Sequence, residues 1–482
     1  MNPADQPDRV SMVSDYMIQR KVRSFSDIEE LCHHNDTIVT LCGGGLDSAF
    51  LLAQLSKLDV HLVALSVDVG DDFDIEHFSC IADKFGVDIT RLDYRKEFVE
   101  EFVYPSILAG GRYLGQHPIS ASLSRPLIAR VGVEFARSVG AKCLLHTANQ
   151  SQNSLRRLNG AISDLGFEGY FGSPYEFDAL SRDFKRLELQ EAFGVSGFEN
   201  RLISTDTNLW CREFESGTLD DPEGFEIDQN LYQWSVASET ASRVIELRFD
   251  RGHVVSVDAE PVTDLVELIS GLNAKVGRYG IGRFSSLEHL ESGEKVLEVR
   301  EAPAAALILE AFAQLASATV EVETLRWMRT LGEALIMEAV EGRWFRSLRE
   351  ALQSFLEVSA HRVSGDVRFT LRNGGFELAG LKAVSPLYIR DREQWEYRKA
   401  AAARSVTASR FDGSSILTGQ GRGIGLGRRV ECHDAGLEHR HNGEKALHVR
   451  EYLPRDAAAH RLSPENRLPA PPDDPNSTTS LD

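Results

Sequence analysis

A short β-branched run, Thr37-Ile38-Val39-Thr40-Leu41, passes through Cys42 into three glycines, Gly43-Gly44-Gly45, and then into a helical stretch from Ser48 to Leu58. This strand, glycine turn and helix constrain the fold more than any other segment. In a parallel sheet, ligands collect outside the carboxyl ends of the strands, where loop amides and a helix N-terminus converge. Glycine lets successive N–H groups fold into a concave nest and lets a phosphate approach the backbone closely. Ser48 opens the helix and adds a hydroxyl donor. A carboxylate at Asp47 repels phosphate, so its expected part is to accept hydrogen bonds from loop amides and keep them aimed. The segment reads as a site for ATP phosphates. It carries no G-x-x-x-x-G-K-[ST], so it is not a Walker loop, and the triple glycine departs from the dinucleotide fingerprint. The later run Gly419-Gln420-Gly421-Arg422-Gly423-Ile424-Gly425 misses that fingerprint too, has no strand before it, and reads as a loop.

The α/β rhythm continues downstream. His61 to Val67 forms a second apolar run; Ile75, Phe78, Ala82 and Phe85 recur at helical spacing; Val87 to Leu92 reads as a third strand. Pro126 to Val139 reads as a helix stopped by Gly140, and Lys142 to His146 as a fourth strand. Such alternation implies a parallel sheet with crossover helices. Residues 1–35 form an N-terminal extension with a short amphipathic helix at Phe25 to Leu31, and 36–170 the ATP-binding α/β domain. From about residue 171 the pattern changes. Val244 to Phe249 and His253 to Val257 flank Asp250-Arg251-Gly252, and Val367, Phe369 and Leu371 alternate before Asn373-Gly374, both hairpin signals. Long amphipathic helices start near Val262, Thr324 and Phe345. Residues 171–410 therefore read as an α+β domain. Residues 411–482 read as a C-terminal segment, disordered from about residue 456, where Pro, Asp, Ser and Ala dominate.

A formal net charge of -20 opposes general attraction to nucleic acid, so anionic ligands must be held by local groups. No apolar run reaches the length of a membrane span and the first residues do not resemble a targeting segment, so a cytoplasmic location is expected. The six cysteines, Cys32, Cys42, Cys80, Cys143, Cys211 and Cys432, contain no C-x-x-C pair and read as buried free thiols. Cys432, His433, His439 and His441 match no zinc spacing, and no residue is assigned as a metal ligand. His33-His34 reads as solvated loop, and His146, at the end of an apolar strand, as a hydrogen-bonded structural histidine.

The loop Gly44-Gly45-Leu46-Asp47-Ser48 resembles the S-G-G-x-D-S loop of the ATP pyrophosphatases, which several families share. Four further segments resemble those of the argininosuccinate synthase family in the same order. They are Ala64-Leu65-Ser66-Val67-Asp68-Val69-Gly70, Ser122 to Ala129, Asp206-Thr207-Asn208-Leu209-Trp210 and Tyr279-Gly280-Ile281-Gly282-Arg283. The resemblance implies a parallel-sheet adenine nucleotide alpha hydrolase-like (PP-loop) domain, then an α+β synthetase domain and a C-terminal tail. It also implies an AMP-forming carbon–nitrogen ligase using Mg-ATP, amino-acid substrates and a homotetramer built through C-terminal segments. In such a ligase the ureido oxygen of citrulline attacks the α-phosphate, and the amine of aspartate then displaces AMP.

Carried over residue by residue, Gly43, Gly44, Gly45, Leu46, Asp47, Ser48, Val67, Arg125 and Thr147 fall on the nucleotide, with Asp47, Ser48 and Arg125 nearest the chemistry. Ser122, Asn153, Arg157, Ser204 and Glu288 fall on the citrulline site, and Asn153 also on the aspartate site. An arginine for a carboxylate and a glutamate for an ammonium suit an amino acid. The departures are specific. The loop's leading serine is Gly43 and its last is Ala49; two tyrosines of the citrulline site are His117 and Arg300, and a serine is Glu213. The family's H-G-A-T-G-K-G-N-D becomes His146 to Ser154, losing its glycines and lysine, with Asn149 for a threonine and Ser154 for an acid that balances the aspartate ammonium. Glu213 and Arg300 either pair with each other or meet a differently charged ligand. Rival readings are a specialised-metabolism paralogue with another acceptor or amine, a non-catalytic ATP-binding paralogue, asparagine synthetase or a transfer-RNA-modifying enzyme. Met1-Asn2 lacks the N-terminal cysteine that asparagine synthetase uses, and a transfer-RNA enzyme calls for a basic surface.

Overall fold

The strand Thr37–Leu41 is the pivot of a six-stranded sheet in a computed structural model that describes residues 20–32, 36–198 and 203–411. It pairs in parallel with His61–Asp68 on one side and with Cys143–Leu145 on the other. Asp88–Asp93 extends the first side; Tyr170–Gly172 and then Lys21–Val22 extend the second, all parallel. Chain order therefore reverses between Thr37–Leu41 and Cys143–Leu145. At such a reversal the loops leaving adjacent strands diverge and open a crevice. The loops here are the glycine turn and residues 146–153.

Sequence periodicity finds four of the six strands and the helix Phe25–Leu31. The edge strand Lys21–Val22 draws part of the N-terminal extension into the sheet. Two boundaries differ. The helix after the glycines runs from Leu46 to Leu55 with Gly45 as its N-cap, two residues before the expected start at Ser48. The helix expected from Pro126 runs from Ala121 to Ser138 with Pro126 inside it. Ala121, Ser122, Leu123 and Ser124 are buried, and that packing extends the helix past a residue with no N–H for the Ser122 carbonyl.

The rest of the chain up to Tyr397 belongs to the same compact unit, and a second unit begins at Arg398. A five-stranded antiparallel sheet contains both hairpins read from the sequence, Arg243–Asp250 with His253–Val257 and Gly365–Arg372 with Gly375–Ala383. A four-stranded antiparallel sheet orders Arg283–His289, Lys295–Glu301, Arg212–Glu215 and Ser204–Thr207. Helices Leu265–Gly277, Val322–Val340 and Ser347–Ala360 match the amphipathic readings, while Pro303–Thr319 is buried along almost its whole length. Cys42, Cys143 and Cys211 are buried free thiols as expected; Cys32 is half-buried and Cys80 exposed, because it sits on the outer face of the helix Ile75–Phe85. His33-His34, the run 419–425, the Cys432/His433/His439/His441 group and the tail from 456 lie outside the described residues.

Candidate active site

The crevice holds a cavity of about 510 Å³, within the range of small-molecule sites. Gly43, Gly45, Leu46, Asp47 and Ser48 form one wall, and Val67, at the end of the neighbouring strand, lies beside them. Gly44 has φ +72, and a Cβ there would come within 2.9 Å of the Phe73 ring, so only glycine fits. A Cβ on Gly43 or Gly45 would meet nothing within 4 Å, which leaves that backbone open to a close ligand.

Asp47 does not do what its sequence position suggests. Its Oδ1 is paired with Lys185 Nζ, from the helix Arg182–Phe193, rather than with loop amides. The loop amides stay available. Arg125 crosses the cavity floor, with Nη2 2.5 Å from Asp206 Oδ2 and Nε donating to Ser154 Oγ at 3.1 Å.

The opposite wall comes from residues 146–157 and the four-stranded sheet. Thr147, Asn153, Ser154, Arg157, Ser204 and Glu213 line the cavity. Asn149 does not, since its Oδ1 accepts from the Ser151 hydroxyl (2.7 Å) and amide (3.1 Å) of its own turn. Ser122, His117, Glu288 and Arg300 are buried behind the lining. His146 is buried with Nε2 3.1 Å from Asn159 Oδ1, a structural hydrogen bond.

Strand alternation explains the chemistry of this wall. Glu213 faces Arg300 directly in register, Asp206 faces Glu213, and Ser204 faces Glu215, so these side chains share one face of the sheet. Phe214, Leu297 and Val299 occupy the other face and form a small apolar core. Arg300 Nη2 lies 3.1 Å from Glu213, 3.2 Å from Glu298 and 3.3 Å from Glu288. Glu213 and Arg300 therefore pair with each other, which resolves the alternative left open by the sequence. Arg157 binds the other oxygen of Glu288, and Asn153 Nδ2 donates to it at 2.7 Å. Burial alone would raise the Glu288 pKa, but Arg157, His117 and Arg300 hold it well below the usual carboxylate range. Burial and the Arg300 charge lower His117 to about 4, so the imidazole is neutral and its Nε2 donates to Glu288 at 3.4 Å. Burial pushes Glu298 well above its ordinary value despite Arg300, and pushes Glu215 up to about 7.

The sequence reading missed Lys185, Asp206, Glu215 and Glu298. Glu215 and Glu298 sit on strands whose alternation of charged and apolar residues was there to be read (Arg212-Glu213-Phe214-Glu215, Leu297-Glu298-Val299-Arg300), whereas the all-polar Ser204–Thr207 around Asp206 carries no such pattern. Nothing local to Lys185 signals its position.

Residues 37–171 match the family described as the arginosuccinate synthase N-terminal HUP domain, and residues 203–408 its C-terminal domain. Argininosuccinate synthase of Rubrobacter xylanophilus is 32% identical over 360 residues, 73% of this chain and 87% of the relative. The Pyrococcus furiosus enzyme of that name is 32% identical over 356 residues, 73% and 86%. That of Dictyoglomus turgidum is 30% identical over 379 residues, 78% and 94%.

Proposed function

This chain belongs to the argininosuccinate synthase family, and from that premise we propose that it joins citrulline to aspartate in two ATP-driven steps. The ureido oxygen of citrulline attacks the α-phosphate and pyrophosphate leaves; the aspartate amine then attacks the activated carbon and AMP leaves. Gly43, Gly44, Gly45, Leu46, Asp47 and Ser48 receive the phosphates, Val67 and Thr147 flank the nucleoside, and Arg125 stabilises charge developing on the α-phosphate. Arg157, Ser204 and Glu213 line the acceptor site, with His117, Ser122, Glu288 and Arg300 packed behind it, and Asn153 and Ser154 form the amine site.

One observation carries this reading: the glycine loop and the Asn153–Arg157 segment open into the same cavity, so nucleotide and amino acid can meet without crossing solvent. A second detail agrees with it. Asn153 Oδ1 is buried with no hydrogen-bond partner, which suits an incoming N–H donor. Arg157 and Glu288, the groups suited to an α-carboxylate and an α-ammonium, hold each other, and a zwitterion replaces their one ion pair with two.

Among the described residues no cluster of three or more His, Cys, Asp or Glu side chains is arranged to hold a metal. A magnesium ion arriving on the nucleotide phosphates would need only one or two carboxylates from the protein, and Asp71, Asp72 and Asp206 line the cavity. Such an ion neutralises phosphate charge. The protein acts on small molecules in the cytoplasm and assembles as a homotetramer through its C-terminal part.

Exchange of labelled pyrophosphate into ATP tests the first step. Citrulline alone should support exchange, and AMP should accumulate only when aspartate is added. Tight ATP binding with no citrulline-dependent exchange would overturn the assignment.

A further inference from the structure

Asp47 is the acid in the first turn of the helix that closes the glycine loop, and it lines the cavity that a triphosphate must enter. Unpaired, its carboxylate would oppose the ligand. Its cation comes from 138 residues along the chain, where Lys185 sits one turn into the helix Arg182–Phe193. Lys185 is only 5% exposed and is not part of the cavity lining. Its ammonium lies 5.0 Å from the centre of the Tyr175 ring, and the Tyr175 hydroxyl donates to the Asp47 carbonyl at 2.8 Å. Side chain and carbonyl of one loop residue are thus both gripped from residues 175–185.

A buried lysine is rare unless its charge is matched, and taking it out of water is costly. Three further aspartates of the cavity are also paired with cations, Asp71 with Arg91, Asp72 with Arg212 and Asp206 with Arg125. Lys185 does this for the acid closest to the glycine nest.

We infer that Lys185 is a positioning residue for ATP, cancelling the Asp47 charge and holding the loop so that the β- and γ-phosphates meet backbone donors instead of a bare carboxylate. The inference rests on the ATP-binding reading above.

Calorimetric titration of the full chain with α,β-methylene-ATP and with AMP, both with Mg²⁺, tests it. Lys185→Met should weaken the ATP analogue roughly tenfold or more, because an uncompensated like charge then faces the outer phosphates. AMP, which lacks those phosphates, should change by less than about twofold, and Lys185→Arg should restore analogue binding to within about threefold. Lys185→Gln, polar but uncharged, reads the same way if Lys185→Met does not fold. Equal weakening of both ligands means a merely structural lysine and overturns the inference, as does an unchanged affinity for the analogue. A wild-type chain that binds no ATP analogue overturns the nucleotide reading together with this one.

Discussion

Glu215 lines the cavity and is shifted into the neutral pH range. Burial raises its pKa to about 7, with Glu213 and Asp206 adding to the shift, while a 2.8 Å hydrogen bond from Gln152 and the Arg125 charge oppose it. A polyanion favours the protonated form, so ATP affinity should rise as pH falls from about 8 to about 6. Stability follows the same sign. A folded pKa above the unfolded value of about 4.3 makes proton binding stabilising below that value, and the gain is lost as pH rises through about 7. Glu215→Gln should flatten both profiles, read by analogue titration and by thermal melts across that range; equal slopes in wild type and variant would remove Glu215 from the account. Gly43 offers a second single-residue test. A Cβ there meets nothing within 4 Å, so Gly43→Ser should fit and return one phosphate donor, tightening ATP by about 1 kcal/mol. Gly44→Ala should instead lose roughly 1 kcal/mol or more of stability, because its φ is +72 and the Phe73 ring blocks the added carbon.

Within the four-stranded sheet, the directly opposed Glu213 and Arg300 behave as one unit. Arg300→Tyr alone leaves Glu213 and Glu288 short of a buried partner and should cost about 3 kcal/mol or more. Glu213→Ser with Arg300→Tyr should cost less than the two single changes summed, by more than about 1 kcal/mol in urea unfolding. The double variant should also lower the KM for citrulline, since Glu288 is then no longer shared with Arg300. Additive costs would show that the pair is not coupled. The residues of this pair were legible in the sequence as departures from the family and their pairing as one of two alternatives, but the strands that oppose them were not, because strands on the polar side of a buried sheet look like surface. For the same reason Arg283–His289 and Lys295–Glu301 escaped the period-2 reading, although the hairpins of the outer sheet did not. Pro303–Thr319 shows no polar stripe because it is buried almost all round, and periodicity cannot mark such a helix. The glycine loop was legible because its backbone geometry demands a residue type. Lys185 was not, because a contact 138 residues away leaves no local pattern.

The whole molecule carries a formal charge of -20, so identical copies repel one another wherever acid dominates the surface. Residues 384–397 are different. Val384 and Tyr397 are 74% and 75% exposed, Leu387 and Ile389 are also exposed, and the charges of the segment nearly cancel: Arg390 and Arg392 against Asp391, Glu393 and Glu396. An apolar stretch of low net charge on an acidic protein is where copies can approach at least electrostatic cost. Sedimentation should therefore show an assembly larger than the 53.6 kDa chain, strengthened by added salt as long-range repulsion is screened. Leu387→Glu adds charge and removes apolar area from that segment, and should shift the distribution towards monomer while leaving the cavity intact. A wild-type chain that sediments as a monomer at every ionic strength would remove the tetramer from the proposed function. Unaltered assembly of the Leu387 variant would move the interface elsewhere on the molecule.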